Sequence, residues 1–198
     1  MRRRTALKLG LAGSACWLGG AHTPYGQWQV YRQRHLMIGT SKADASTYPL
    51  GQRIVGVLAR YLPESSARVT RGPDAWRLAS LLTSGQIEVI LLSAAQVAAL
   101  RDGRAPFEAF GATRLCSLFV FGGQGGGHWL VCRPDFPDRH AYLVVETLAT
   151  HGDMTIGGRP PDPAASPVPI HPGALAYLRG DPMPAPLAAD SGTTATAR

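Results

Sequence analysis

The chain has 198 residues, 45% of them apolar, and a formal charge of +7. That length suits one domain, and that apolar content is enough for a real core. Four positive charges (Arg2, Arg3, Arg4 and Lys8) crowd the amino terminus, so the remainder carries 16 basic against 13 acidic residues, scattered singly, with no basic stripe for nucleic acid.

Residues 1–21 read as an export signal. A basic start precedes residues 6–18, which are small, moderately apolar and too short to span a bilayer. Arg3-Arg4-Thr5-Ala6-Leu7-Lys8 fits the twin-arginine pattern, which implies export to the periplasm in the folded state. Gly19-Gly20-Ala21 offers a small-residue cleavage site near Ala21. A lipoprotein cysteine at Cys16 is the alternative, but Gly13 stands where an apolar residue is wanted.

The organising stretch is 38–51. An apolar run at 36–38 predicts a short strand, and a small-residue loop follows. Pro49 sits in the first turn of a helix that continues through Leu50, Ile54, Val55, Leu58 and Leu62, apolar at three- and four-residue spacing. A strand, a small-residue turn and a helix N-terminus together can hold an anion, because free amides and the helix dipole face it. Ser41, Ser46, Thr47 and Tyr48 add hydroxyls there. The competing reading is an ordinary strand-to-helix turn with Ser or Thr as its cap.

The theme repeats over 67–101. Residues 67–70 predict a strand, Arg71-Gly72-Pro73-Asp74 a turn, and residues 75–83 a helix with Asp74 as cap and Gly85 as stop. Residues 88–92 predict an apolar strand, and Ser93 caps a helix over 94–100. Alternating strands and helices predict an α/β fold with a mostly parallel sheet flanked by helices. Ligands in such folds bind at the carboxyl ends of the strands, where the turns at 41–47, 71–74 and 93–95 would converge.

Two apolar strands, 115–121 and 129–132, flank Gly122-Gly123-Gln124-Gly125-Gly126-Gly127. No Gly-Lys-Ser/Thr ending and no following helix supports a phosphate loop, so the run reads as a flexible hairpin or linker. Cys116 and Cys132 lie in these strands; they pair in an oxidising periplasm if the strands are neighbours, or remain as two buried thiols. Neither has metal-ligand spacing and the six histidines are dispersed, so no metal site is expected. Residues 133–138 lead into an amphipathic helix over 139–151, and 169–177 open a last short helix. The Pro/Ala-rich residues 157–169 carry no motif, and 181–198 read as a disordered tail.

Ile38-Gly39-Thr40-Ser41 followed by Ser46-Thr47-Tyr48-Pro49-Leu50-Gly51 resembles the opening of the TAXI family, the extracytoplasmic solute-binding proteins of one class of TRAP transporters. The run from Leu78 to Leu92, the Arg133-Pro134-Asp135-Phe136-Pro137 turn and the Pro169-Ile170-His171-Pro172-Gly173-Ala174 segment resemble later parts of the same family. The resemblance implies a single lobe of a type II periplasmic-binding-protein-like fold over 34–180, with the second lobe missing near 122–127. It also implies a small carboxylate or amino-acid solute, with Ser41, Thr47, Tyr48, Gly72 and Ser93 as contacts, no cofactor, and a TRAP membrane subunit as possible partner. The chain departs from the family at each ligand turn: residues 42–46 replace glycines, Arg71-Gly72-Pro73-Asp74 replaces a Gly-Gly-Ser-type turn, and Ser93-Ala94 replaces a polar amide side chain. A lone lobe also has nothing to close against. The alternative is therefore a periplasmic accessory protein that uses the lobe as a docking platform.

No catalytic constellation is expected. Asp135 and Asp138 beside Arg139 and His140, and Asp44 near Ser41, read as caps and solvated turn residues. A Ser-His-Asp set has no nucleophile-elbow pattern behind it, and His171 reads as a packing or hydrogen-bonding residue rather than a base.

Overall fold

A computed structural model describes residues 35–122, 127–152 and 156–185. The expected export signal at 1–21, most of the glycine-rich connection and residues 186–198 lie outside the described residues.

The first strand, β1 (Met37–Ser41), leads to α1 (Thr47–Tyr61); β2 (Arg68–Gly72) leads to α2 (Ala75–Thr83), and β3 (Val89–Ser93) to α3 (Ala94–Asp102). Then β4 (Cys116–Phe121) and β5 (His128–Cys132) form a hairpin, followed by α4 (Asp138–His151), the two-residue β6 (Gly158–Arg159) and α5 (Pro172–Arg179). The six strands make one sheet in the order β2-β1-β3-β5-β4-β6.

The sheet is mixed, which corrects the expectation of a mostly parallel one. β1 pairs in parallel with β2 and β3, but β3–β5, β5–β4 and β4–β6 are antiparallel. The six residues between β4 and β5 are too few for the crossover that parallel neighbours need, so the hairpin inserts an antiparallel strand beside β3. The strands also run further than the apolar pattern indicated. Thr40, Arg71, Ser41 and Gly72, expected in turns, instead continue the β1–β2 ladder as the pairs Thr40–Arg71 and Ser41–Gly72. Backbone pairing holds a strand together even where its side chains turn small and polar.

Helices cover both faces. Along β3, Val89 and Leu91 join a core with Ile54 and Leu58 of α1, Val144 and Leu148 of α4 and Ala174 of α5. Ile90 and Leu92 point the other way and join Leu78 and Leu82 of α2 and Val97 and Leu100 of α3. Burial on both faces is why 89–92 reads as an unbroken apolar run rather than an alternating one. Two glycines permit close approach, of α1 to the sheet and of α5 to α4. A Cβ on Gly51 would lie 2.7 Å from Thr40 Cγ2, and one on Gly173 would lie against the carbonyl oxygen of Asp138. The local stop and start signals hold: Asp74 accepts from Arg77 N at 2.8 Å, and Gly85 leaves α2 with φ +70°. Ser93 and Gln96 form a reciprocal capping box.

Candidate functional site at the carboxyl ends of the strands

The parallel trio β2-β1-β3 sets Gly72, Ser41 and Ser93 along one rim of the sheet. Antiparallel β5 begins on the same rim, with His128 opposite Ser93. The expected convergence of three turns is therefore present, with a fourth strand end added.

At this rim the chain satisfies its own polar groups. The Thr47 hydroxyl accepts from Ser41 N at 3.1 Å and lies 2.8 Å from the carbonyl of Asp44, to which it donates. Ser41 Oγ accepts from Ala43 N at 3.1 Å. Ser93 Oγ accepts from Gln96 N at 3.3 Å. Gly72 is a packing glycine, since a Cβ there would come 3.0 Å from Leu78 Cδ2, and its carbonyl receives Lys42 N at 2.9 Å. Tyr48 is different: its ring lies under the guanidinium of Arg71, with Cζ 4.2 Å from the ring centroid. Pro49 takes a further donor from the first turn of α1, and Thr47 N is bonded to the Asp44 carbonyl at 3.2 Å.

Asp44 occupies the place where an anion would sit. Its Oδ1 accepts from Ser46 N at 3.0 Å and Ser46 Oγ at 2.5 Å, while Oδ2 lies 2.9 Å from His128 Nε2. Burial alone would raise the Asp44 pKa, but the hydrogen bonds from Ser46 and His128 outweigh it and hold the carboxyl below its usual value. The carboxylate is thus a built-in negative charge at the start of α1, where the helix dipole favours one.

His128 lies 84 residues from Asp44 and escaped the sequence reading, which placed Asp44 among caps and solvated turn residues. No local signal marks His128; only the β3–β5 pairing carries it across to the turn. Arg71 was read as part of a turn, and its contact with Tyr48 likewise depends on the β1–β2 ladder.

Asp44, Ser46 and His128 bring together the residue types of a hydrolytic triad without its geometry. A triad histidine holds the acid on one ring nitrogen and the nucleophile on the other. Here Asp44 and Ser46 both approach Nε2, at 2.9 and 3.2 Å, and the Ser46 hydroxyl donates to Asp44 Oδ1. The Ser46 proton is directed at the carboxylate rather than at a base. The arrangement is a polar clasp between the β1–α1 turn and the first residue of β5.

A concavity lies at the opposite, amino end of the parallel strands. It encloses about 430 Å³, with Leu36, Leu62 and Phe136 among its apolar walls and Glu88 and Arg139 among its polar ones. Burial raises the Glu88 pKa, with Arg133 pulling it back. His171, also near this end, is fully buried and caps α5: its Nδ1 accepts from Gly173 N at 3.2 Å, and Phe136 meets its ring edge-on. This is the packing and hydrogen-bonding role read from the sequence. Among the described residues, no group of three or more His, Cys, Asp or Glu side chains is placed to hold a metal ion, and no helix is long and apolar enough to cross a membrane.

Neither a family model nor a curated protein matches the chain.

Proposed function

We propose that the chain is an exported, non-catalytic accessory protein built on a single TAXI-like lobe, one that does not grip a small carboxylate tightly. One observation carries this reading: donors at the rim are spent within the chain, the Ala43 amide on Ser41 Oγ, the Gln96 amide on Ser93 Oγ and the Thr47 hydroxyl on the Asp44 carbonyl. A receptor that holds a carboxylate needs these donors free and pointing at the ligand. Asp44 adds to the argument, because a carboxylate at the head of α1 repels an incoming one. The export route and the periplasmic location rest on residues 1–21, and the missing second lobe on the order of the segments that resemble the family.

The second reading is a weak receptor for a small carboxylate or amino acid. Arg71 favours it, being an exposed residue whose guanidinium carbon sits 4.2 Å over the Tyr48 ring beside the β1–α1 turn, where its N–H groups can fork a carboxylate. Calorimetric titration of the mature protein with a panel of dicarboxylates and amino acids separates the two. The accessory reading expects no tight complex; a sub-micromolar dissociation constant for any member of the panel overturns it in favour of the receptor.

A further inference from the structure

The sheet places Cys116 and Cys132 directly opposite each other, at the end of the β4–β5 hairpin remote from His128. Directly opposed residues of antiparallel strands have Cα atoms about 4.5–5.5 Å apart. That separation falls inside the range of roughly 4.4–6.8 Å that a disulfide spans. Both side chains point to the same face of the sheet, into the core shared with α1 and α4. The Cys132 thiol is turned toward its neighbour, with Sγ 3.7 Å from the Cys116 carbonyl oxygen, to which it donates. Both residues are thiols in this structure.

We propose that Cys116 and Cys132 are an oxidation site that closes to a cross-strand disulfide and pins the register of the β4–β5 hairpin. The oxidant is a small or protein disulfide, such as glutathione disulfide. The Cys116 thiolate attacks one sulfur of the oxidant, forms a mixed disulfide and expels one thiolate, which takes up a proton. The Cys132 thiol then loses its proton and its sulfur attacks the Cys116 sulfur, expelling the second thiolate. The two cysteine sulfurs are oxidised, and one oxidant disulfide becomes two thiols. Cys116 acts first because it keeps 7% of its surface open, whereas Cys132 is sealed. Burial raises both thiol pKa values, more for Cys132, so in the folded protein few thiolates form and the reaction is slow. Closure is therefore expected chiefly as the chain folds.

The register matters beyond the bond itself. β4 carries a bulge between Ser117 and Phe119, one step from the cysteine pair, so pairing there is interrupted. A covalent tie at Cys116–Cys132 fixes the hairpin on the near side of that bulge. It thereby holds the strand whose first residue, His128, reaches Asp44.

The test uses the full chain with Cys16→Ser, so that only the two cysteines remain, refolded from denaturant in a glutathione buffer of equimolar oxidised and reduced forms. Intact mass should fall by two hydrogens, and peptide mapping should join 116 to 132. The closed form should melt about 6–12 °C above its reduced form, from the loop-closure estimate and the usual melting shift for a domain this size. Chains that additionally carry Cys116→Ser should show no internal link. Two alkylatable thiols after refolding overturn the proposal, as do glutathione adducts that never resolve or a link between chains. A closed form that melts below the reduced one overturns it as well, because such a bond would strain the hairpin rather than pin it.

Discussion

Asp44→Ala separates a carboxylate that serves the turn from one that is merely near it. Asp44 accepts three hydrogen bonds, two from Ser46 and one from His128. Its side chain is one-third exposed and Ser46 is exposed, so water replaces much of what is lost. Discounting each bond accordingly, removal costs about 1–2 kcal/mol. In a domain of this size that lowers the melting temperature by about 2–8 °C. A cycle with His128→Ala should return a coupling of about 0.5–1 kcal/mol, since both partners are only part-buried. The sign of the pH dependence follows from the lowered Asp44 pKa. A depressed carboxylate stabilises the fold above its unfolded value, here 3.8, and that contribution fades as pH falls through the lower folded value. The gap between wild type and variant should therefore shrink below about pH 4. Removing Asp44 also lifts its repulsion on an anion at the head of α1, about 1 kcal/mol at roughly 5 Å in a water-like medium. Affinity for succinate, followed by NMR titration at millimolar concentrations, should rise about fivefold. An unchanged melting temperature together with unchanged succinate binding would refute the assignment of Asp44 as the internal anion.

Glycines of α1 should respond in opposite directions. Gly51→Ala drives a methyl onto Thr40 and should cost about 1–3 kcal/mol, while Gly56→Ala, with open space around it, should stabilise by up to about 1 kcal/mol; urea midpoints measure both. The His171 pKa is lowered by burial against the opposing pull of Asp138 and the Phe136 backbone, so the native state holds the ring neutral. Stability should accordingly be full above the unfolded histidine value of 6.5 and decline as pH falls below it. His171→Asn keeps a cap acceptor and removes that ring, so the slope between pH 7.5 and 5.5 should flatten, with His140, also lowered by burial, still contributing. Parallel slopes in the two proteins would show that His171 does not titrate with unfolding.

The elements that were legible in the sequence are those whose signals are local. Asp74 at the head of α2, Ser93 at the head of α3 and Gly85 at the end of α2 each act within four residues, and each stands where its chemistry indicated. The apolar runs of β3, β4 and β5 were visible because burial on the sheet demands them. Illegible were features decided by distant pairing. Ser41 and Gly72 look like turn residues, yet β1 and β2 carry them in a ladder. β6 is two residues in a Pro-rich stretch with no periodicity to read, and it exists because Arg159 and Gly158 meet Val120 and Phe121. Within the candidate site the hydroxyls were found, but not what they do. Ser and Thr beside a helix start can face a ligand or their own backbone, and only coordinates distinguish the two.

The β4–β5 connection bears most directly on the missing-lobe reading. Phe121 and His128 are paired neighbours, so the chain leaves the sheet and re-enters it at adjacent positions. A connection anchored at two adjacent points transmits no strain to the sheet whether it is six residues long or a folded body of its own. The ladder between β4 and β5 and the seating of β5 beside β3 would be the same in either case. Such a junction accepts an inserted or deleted segment while the core keeps its packing. The histidine at the first position of β5 turns back onto the β1–α1 turn and closes it with Asp44, so the connection's anchor and the rim's polar clasp share one residue.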